Sequence, residues 1–148
     1  MNEDRVIYKE LSYKIVGILF GVYNELGYGY KEKYYENAIE RSFKLEKIKF
    51  KKQFPYKLIY KGKVIGRFYL DFLIEDKIVL EIKKGNYFDK RNIGQVKEYL
   101  KISGKKLAIL ANFTSTGVKF LRIFNPDYKA LENKPHILDD KKRKLHHL

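Results

Sequence analysis

The sequence predicts an α/β domain, a mixed sheet flanked by helices, with elements in the order α-α-β-β-β-α-β-β. Three observations predict it. Two segments with helical apolar periodicity open the chain, three strand-like runs follow around short polar turns, and a further helical segment leads into an unbroken apolar run. A meander needs only tight turns, whereas a helical crossover brings the chain back parallel to a neighbouring strand. Together they give a mixed sheet with helices on its faces.

The first helix is predicted over residues 4–26, where Ile7, Leu11, Ile15, Ile18, Val22 and Leu26 recur at three- and four-residue steps. Gly27 and Gly29 stop it. A Gly-x-Gly pair also occurs in phosphate loops, but no Gly-Lys-Ser/Thr follows, so helix termination is the better reading. A second helix is predicted over 31–47, and strands over 49–60, 63–74 and 77–84. Lys61-Gly62-Lys63 and Glu75-Asp76-Lys77 supply the turns. Pro55 has no backbone N–H, which makes the first strand an edge or an interrupted one. Asp89 caps a third helix over 89–102 and Gly104 ends it. Lys106 opens the run Leu107-Ala108-Ile109-Leu110-Ala111, which fits a strand buried on both faces, and a last strand covers 118–124. Residues 1–126 are expected to form one domain. Residues 127–148, with the basic run Lys141 to Lys144, are expected to form a mobile tail.

Composition narrows the function classes. The chain has 148 residues, 45% hydrophobic and 34% charged, which suits one soluble globular unit. It has no cysteine, which excludes disulfides, thiolate zinc sites and iron–sulfur clusters and makes a reducing cytoplasm the expected location. No stretch approaches the ~18 apolar residues of a membrane span, and MNEDRVIYKE is not a signal peptide. The net charge of +14 favours a polyanionic partner, usually nucleic acid. Lysine-rich composition also follows from genomic base bias, so charge alone does not decide.

The chemistry-bearing feature is YLDFLIEDKIVLEIKK, residues 69–84. A hairpin centred on Asp76 places Asp71 directly opposite Glu81, with Cβ atoms roughly 5 Å apart. Side chains alternate along a strand, so Lys83 joins Glu81 on one face and Ile82 points away. Opposed like charges are unfavourable in a sheet, and a divalent cation between them reverses that sign. The second helix adds a further anomaly. Glu32 and Glu36 share one stripe with Ile39 and Phe43, which should face the core. The helix dipole accounts for Glu32 in the first turn, but less well for Glu36 one turn further in. The third helix presents Gln95 and Tyr99 at i and i+4, with Lys84, Lys90, Arg91, Lys97 and Lys101 around them, as a phosphate-contacting rim or a solvated lysine face would require.

These residues resemble a known family. Gly29-Tyr30-Lys31-Glu32-Lys33-Tyr34-Tyr35 matches the signature of the GxxExxY proteins. Glu36-Asn37-Ala38-Ile39, the Asp71 and Glu81-Ile82-Lys83 hairpin, and Gly94-Gln95-Val96-Lys97-Glu98-Tyr99-Leu100 look like the same family, over roughly residues 5–125. That family belongs to the PD-(D/E)xK nuclease superfamily. The resemblance implies a restriction-endonuclease-like αβββαβ core with an extra N-terminal helix and an extra C-terminal strand. It implies Asp71 and Glu81 as metal-binding acids, the Ile82 carbonyl as a third ligand, and Lys83 as the residue that orients or deprotonates the attacking water. It implies Glu36, with Glu32 beside it, as a helical metal-supporting glutamate. Gln95 and Tyr99 look like the Q-x(3)-Y element of exonuclease-type relatives, which puts Gln95 in the catalytic set and Tyr99 with Lys84, Lys90, Arg91 and Lys97 in nucleic-acid contact. Leu70 stands where the motif name has proline.

The expected activity is Mg²⁺- or Mn²⁺-dependent phosphodiester hydrolysis, with DNA favoured as substrate. Two rivals stand beside it: a non-catalytic nucleic-acid-binding module, and a protein-interaction domain in which the acids form salt bridges with lysines. A homodimer is an expected assembly on the resemblance alone, since no interface signal is visible.

Overall fold

Three strands joined by two tight turns form the first part of the sheet in the computed structural model, which describes residues 7–127. They are β1 (Phe50–Tyr60), β2 (Lys63–Ile74) and β3 (Ile78–Lys84), preceded by α1 (Lys9–Leu26) and α2 (Glu32–Leu45). Helix α3 (Lys90–Ser103) then crosses over to β4 (Leu107–Thr114), and β5 (Gly117–Phe124) returns beside it. The sheet order is β1-β2-β3-β4-β5, with β3 and β4 parallel and every other pair antiparallel. The predicted order and mixed sheet are both present. β1 is an edge strand, as Pro55 requires, and every residue of β4 is buried.

Boundaries differ where local chemistry was silent. α1 begins at Lys9 because Tyr8, at φ 50, is left-handed and caps no amide with its side chain. β4 extends to Thr114, since its parallel partner β3 runs on to Lys84 opposite Phe113. The tail expected at 127–148 lies, beyond Asp127, outside the described residues. No helix among the described residues is long and apolar enough to cross a membrane.

Two cores hold the layers. Ile15, Leu19, Ile39 and Phe43 of α1 and α2 pack on Phe72, Ile74, Ile78, Leu80 and Ile109. On the other face, Val96, Tyr99 and Leu100 of α3 pack on Leu73, Val79, Ala108 and Leu110. Each fully buried large aliphatic side chain stabilises the fold by about 1.5–3 kcal/mol relative to exposure, so a sheet covered on both faces determines where the helices lie. Asp89 caps α3 by accepting from Arg91 N at 2.8 Å, and Gly104 ends it at φ 72, a left-handed position suited to glycine.

Candidate active site

The β2–β3 ladder pairs Ile74 with Ile78, Leu73 with Val79 and Phe72 with Leu80. That is the register predicted for a hairpin centred on Asp76. One step further the backbone pairing stops and the strands fork. Two carboxylates take over the hydrogen bonding there. Asp71 N donates to Glu81 Oε1 at 3.0 Å, and Ile82 N donates to Asp71 Oδ2 at 2.9 Å. Each acid thus satisfies a backbone amide that the forked ladder leaves without a carbonyl.

Glu81 is 4% exposed. Burial, then the facing charge of Asp71, push its carboxyl up to about 9, while Lys83 pulls the other way. Glu36 projects from α2 and is also buried. Burial and then Asp71 raise its carboxyl, opposed by Lys52, Lys33 and a hydrogen bond from Gln53. Gln53 Nε2 reaches Glu36 Oε1 at 3.3 Å and Asp71 Oδ1 at 3.5 Å, so one amide spans two acids. Its position follows from a kink. Gln53 has φ 53, and the β1–β2 ladder steps from Lys52↔Phe72 to Phe54↔Leu70 over it. A non-glycine residue there costs roughly 1–2 kcal/mol. Nothing in the sequence flagged Gln53, because its role depends on that backbone conformation.

The structure therefore brings Asp71, Glu81, Glu36 and Gln53 together, with Lys83 close enough to act on Glu81. It gives three expected site residues other places. Glu32 is the first residue of α2, and its Oε2 accepts from Lys84 N at 3.0 Å. It ties α2 to the end of β3, which the capping account of a first-turn glutamate only partly anticipated. Tyr99 is 7% exposed, packed edge-on against Phe68, so its ring is core and is not presented for stacking on a base. Burial, then Glu81, Asp71 and Glu98, push its hydroxyl up to about 12, so it stays protonated beside the acids. Gln95, one turn earlier, is exposed, and its side chain makes no hydrogen bond among the described residues. Position on a helical stripe did not settle how far α3 would rotate its i−4 residue out of the cleft.

Lys84, Lys90, Arg91 and Lys97 are all exposed. Arg91 pairs with Asp89 at 3.0 Å, and Lys84 Nζ lies 5.3 Å from the centre of the Tyr28 ring. Asn112, opposite Lys83 in the β3–β4 register, is a further residue the sequence reading missed. Its Nδ2 donates to Tyr87 O at 2.8 Å and Gly85 O at 3.3 Å, which fixes the loop leaving β3.

All side-chain donors at the fork are oxygens, the set that suits Mg²⁺ or Mn²⁺. Among the described residues no three His, Cys, Asp or Glu groups form a ready cage, so backbone carbonyl and water would have to complete a shell.

A family model described as the PD-(D/E)XK nuclease superfamily matches residues 9–123. Among solved structures the chain is similar to SSO0001, with a TM-score of 0.50 and 20% identity over 82% of this chain and 60% of that one. It is also similar to LHK-Exo, an alkaline exonuclease from Laribacter hongkongensis, with a TM-score of 0.46 and 14% identity over 63% of this chain and 55% of that one. The chain thus spans less than two thirds of either protein, and the likeness to SSO0001 bears on the fold alone. No curated relative matches. The family match runs from the start of α1 into β5 and includes Glu36 on α2 and Asp71, Glu81 and Lys83 on the forked sheet, and the chain belongs to the PD-(D/E)XK nuclease superfamily.

Proposed function

We propose that this chain is a metal-dependent nuclease of the GxxExxY kind, acting in the cytoplasm on phosphodiester bonds, with DNA the favoured substrate and Mg²⁺ or Mn²⁺ the cofactor. The observation that carries this reading is the pair of acids at the fork: buried Glu81, which accepts from Asp71 N, and half-buried Asp71, which accepts from Ile82 N. Folding alone gives no reason to set a second acid beside Glu81, where burial already penalises the charge. A cation beside them offsets both the burial and the repulsion.

Asp71, Glu81 and the Ile82 carbonyl would hold the ion, and Glu36 would support a second. A bound divalent ion supplies Lewis acidity and lowers the pKa of its water. Lys83 provides a compact positive charge that holds the attacking water or stabilises negative charge developing on the phosphate oxygens. Gln53 keeps Asp71 and Glu36 aligned through its shared amide. Glu32 serves as a positioning latch on β3. Lys84, Lys90, Arg91 and Lys97 form a solvent-facing cationic rim for the substrate backbone.

Glu81→Ala tests the reading. The variant should lose Mg²⁺-dependent cleavage across a panel of linear, circular, single-stranded and branched DNA and RNA, with its circular dichroism unchanged. Wild-type cleavage by the folded variant would refute the assignment. Titration calorimetry adds an independent readout, since Mn²⁺ should bind the wild type and not Asp71→Ala. A wild type with no Mn²⁺ site would favour the binding module.

A further inference from the structure

We propose that the two-stranded ribbon of residues 54–70 is a second nucleic-acid-binding element, an arm that grips the backbone of a duplex beside the fork. This rests on the nucleic-acid reading above. β2 pairs with β3 only from Phe72 to Ile74, so the remaining β1–β2 ladder extends without a third strand. At ~3.3 Å per residue the arm reaches roughly 25 Å. All residues from Lys57 to Lys63 are exposed. A bare two-stranded ribbon is marginal in water, and among the described residues this one is braced at its base, where Phe54, Tyr56 and Phe68 pack on the α3 cluster.

The alternate residues Pro55, Lys57, Arg67 and Tyr69 stand on the opposite, exposed face. Lys57 lies directly across from Arg67. Like charges directly opposed destabilise a ladder unless an anion lies across them. The turn adds to this. Lys61 and Gly62 both have positive φ, 47 and 79, a geometry that favours asparagine or aspartate at the first position. This chain places a cation there instead. Residues 54–70 contain Lys57, Lys61, Lys63 and Arg67 and no acidic residue.

That charge pattern selects the partner. A second copy of the chain would bring two all-basic ribbons together, whereas phosphates neutralise them. A two-stranded ribbon also fits the B-form major groove. β2 runs from this arm straight to Asp71, so a duplex held along Tyr69 and Arg67 is led to the fork.

The test is binding of a fluorescent 25-base-pair duplex in chelator, so that hydrolysis plays no part. Lys57→Gln with Arg67→Gln should weaken binding about tenfold or more near 0.1 M salt and lower the salt slope by about two. The thermal midpoint should be unchanged or higher, because a repulsive pair has been removed. Lys57→Glu should raise the midpoint further by creating an opposite-charge pair, and should still lose binding. Unchanged affinity and slope in both variants would overturn the inference and leave the nuclease reading intact. A wild type that binds single-stranded DNA or RNA but no duplex would also overturn the inference, and one that binds no nucleic acid would overturn the nucleic-acid reading itself. A wild-type dimer in sedimentation that either variant dissolves would overturn the inference in favour of self-association.

Discussion

Replacing Glu81 by glutamine should make the metal-free protein more stable. Glu81 is nearly fully buried and its carboxyl is pushed up from 4.5 to about 9 by burial and by Asp71. A raised acid binds its proton more tightly in the folded chain. Its stability contribution is therefore complete below the unfolded value of 4.5 and is given up progressively as pH rises through about 9. At pH 7 the window crossed is about 2.5 pH units, worth on the order of 3 kcal/mol at 1.36 kcal/mol per unit. Relaxation and water around the carboxyl reduce this, so about 2–3 kcal/mol is the working figure. Glutamine mimics the protonated acid: its oxygen can accept from Asp71 N and its amide can donate to the Asp71 carboxylate. For a chain of this size the gain corresponds to a rise in midpoint of roughly 6–12 °C. The assay is calorimetric melting in chelator at pH 5 and pH 7. At pH 5 the difference should shrink to below about 1 kcal/mol. Mn²⁺ should raise the wild-type midpoint and leave Glu81→Gln unmoved. Equal melting of the two proteins at pH 7, or a difference that ignores pH, would refute the reasoning.

Other outcomes follow from single contacts. Glu32→Ala removes the acceptor for Lys84 N and should cost about 1 kcal/mol in urea unfolding while leaving Mn²⁺ affinity unchanged; the reverse pattern would make Glu32 a ligand. Gln53→Gly relieves the left-handed strain but deletes the amide between Glu36 and Asp71. Its melting should stay near wild type while cleavage falls about tenfold, whereas Gln53→Ala should also lose about 1 kcal/mol of stability.

The elements that were legible in the sequence are those whose signals are local. Helix periodicity, the Asp89 cap, the glycines at 27 and 104, and the unbroken run in β4 each encode their own conformation. The opposition of Asp71 and Glu81 was legible for the same reason, because a short turn fixes a register. Gln53, Asn112 and the latch role of Glu32 were not, since each depends on partners that only the tertiary fold brings near. Tyr99 and Gln95 show the same limit from the other side. Their i, i+4 spacing was plain, yet whether either faces the cleft depends on how α3 rolls against Leu73 and Phe68.

The fork explains why structure and chemistry coincide in one pair of residues. When β2 leaves β3 after Phe72, the amides of Asp71 and Ile82 lose their ladder partners. A buried amide without an acceptor costs about 1–3 kcal/mol, so side chains that can accept are required at that point. Neutral acceptors would satisfy the amides as well as carboxylates and with less repulsion. Acids in both places therefore satisfy the backbone at an avoidable electrostatic cost. That cost is largest in the metal-free state, and any cation bound between them reduces it. The divergence of β2 from β3 thus creates the need for acceptors, and acids rather than amides meet it, at a cost that a bound cation would lower.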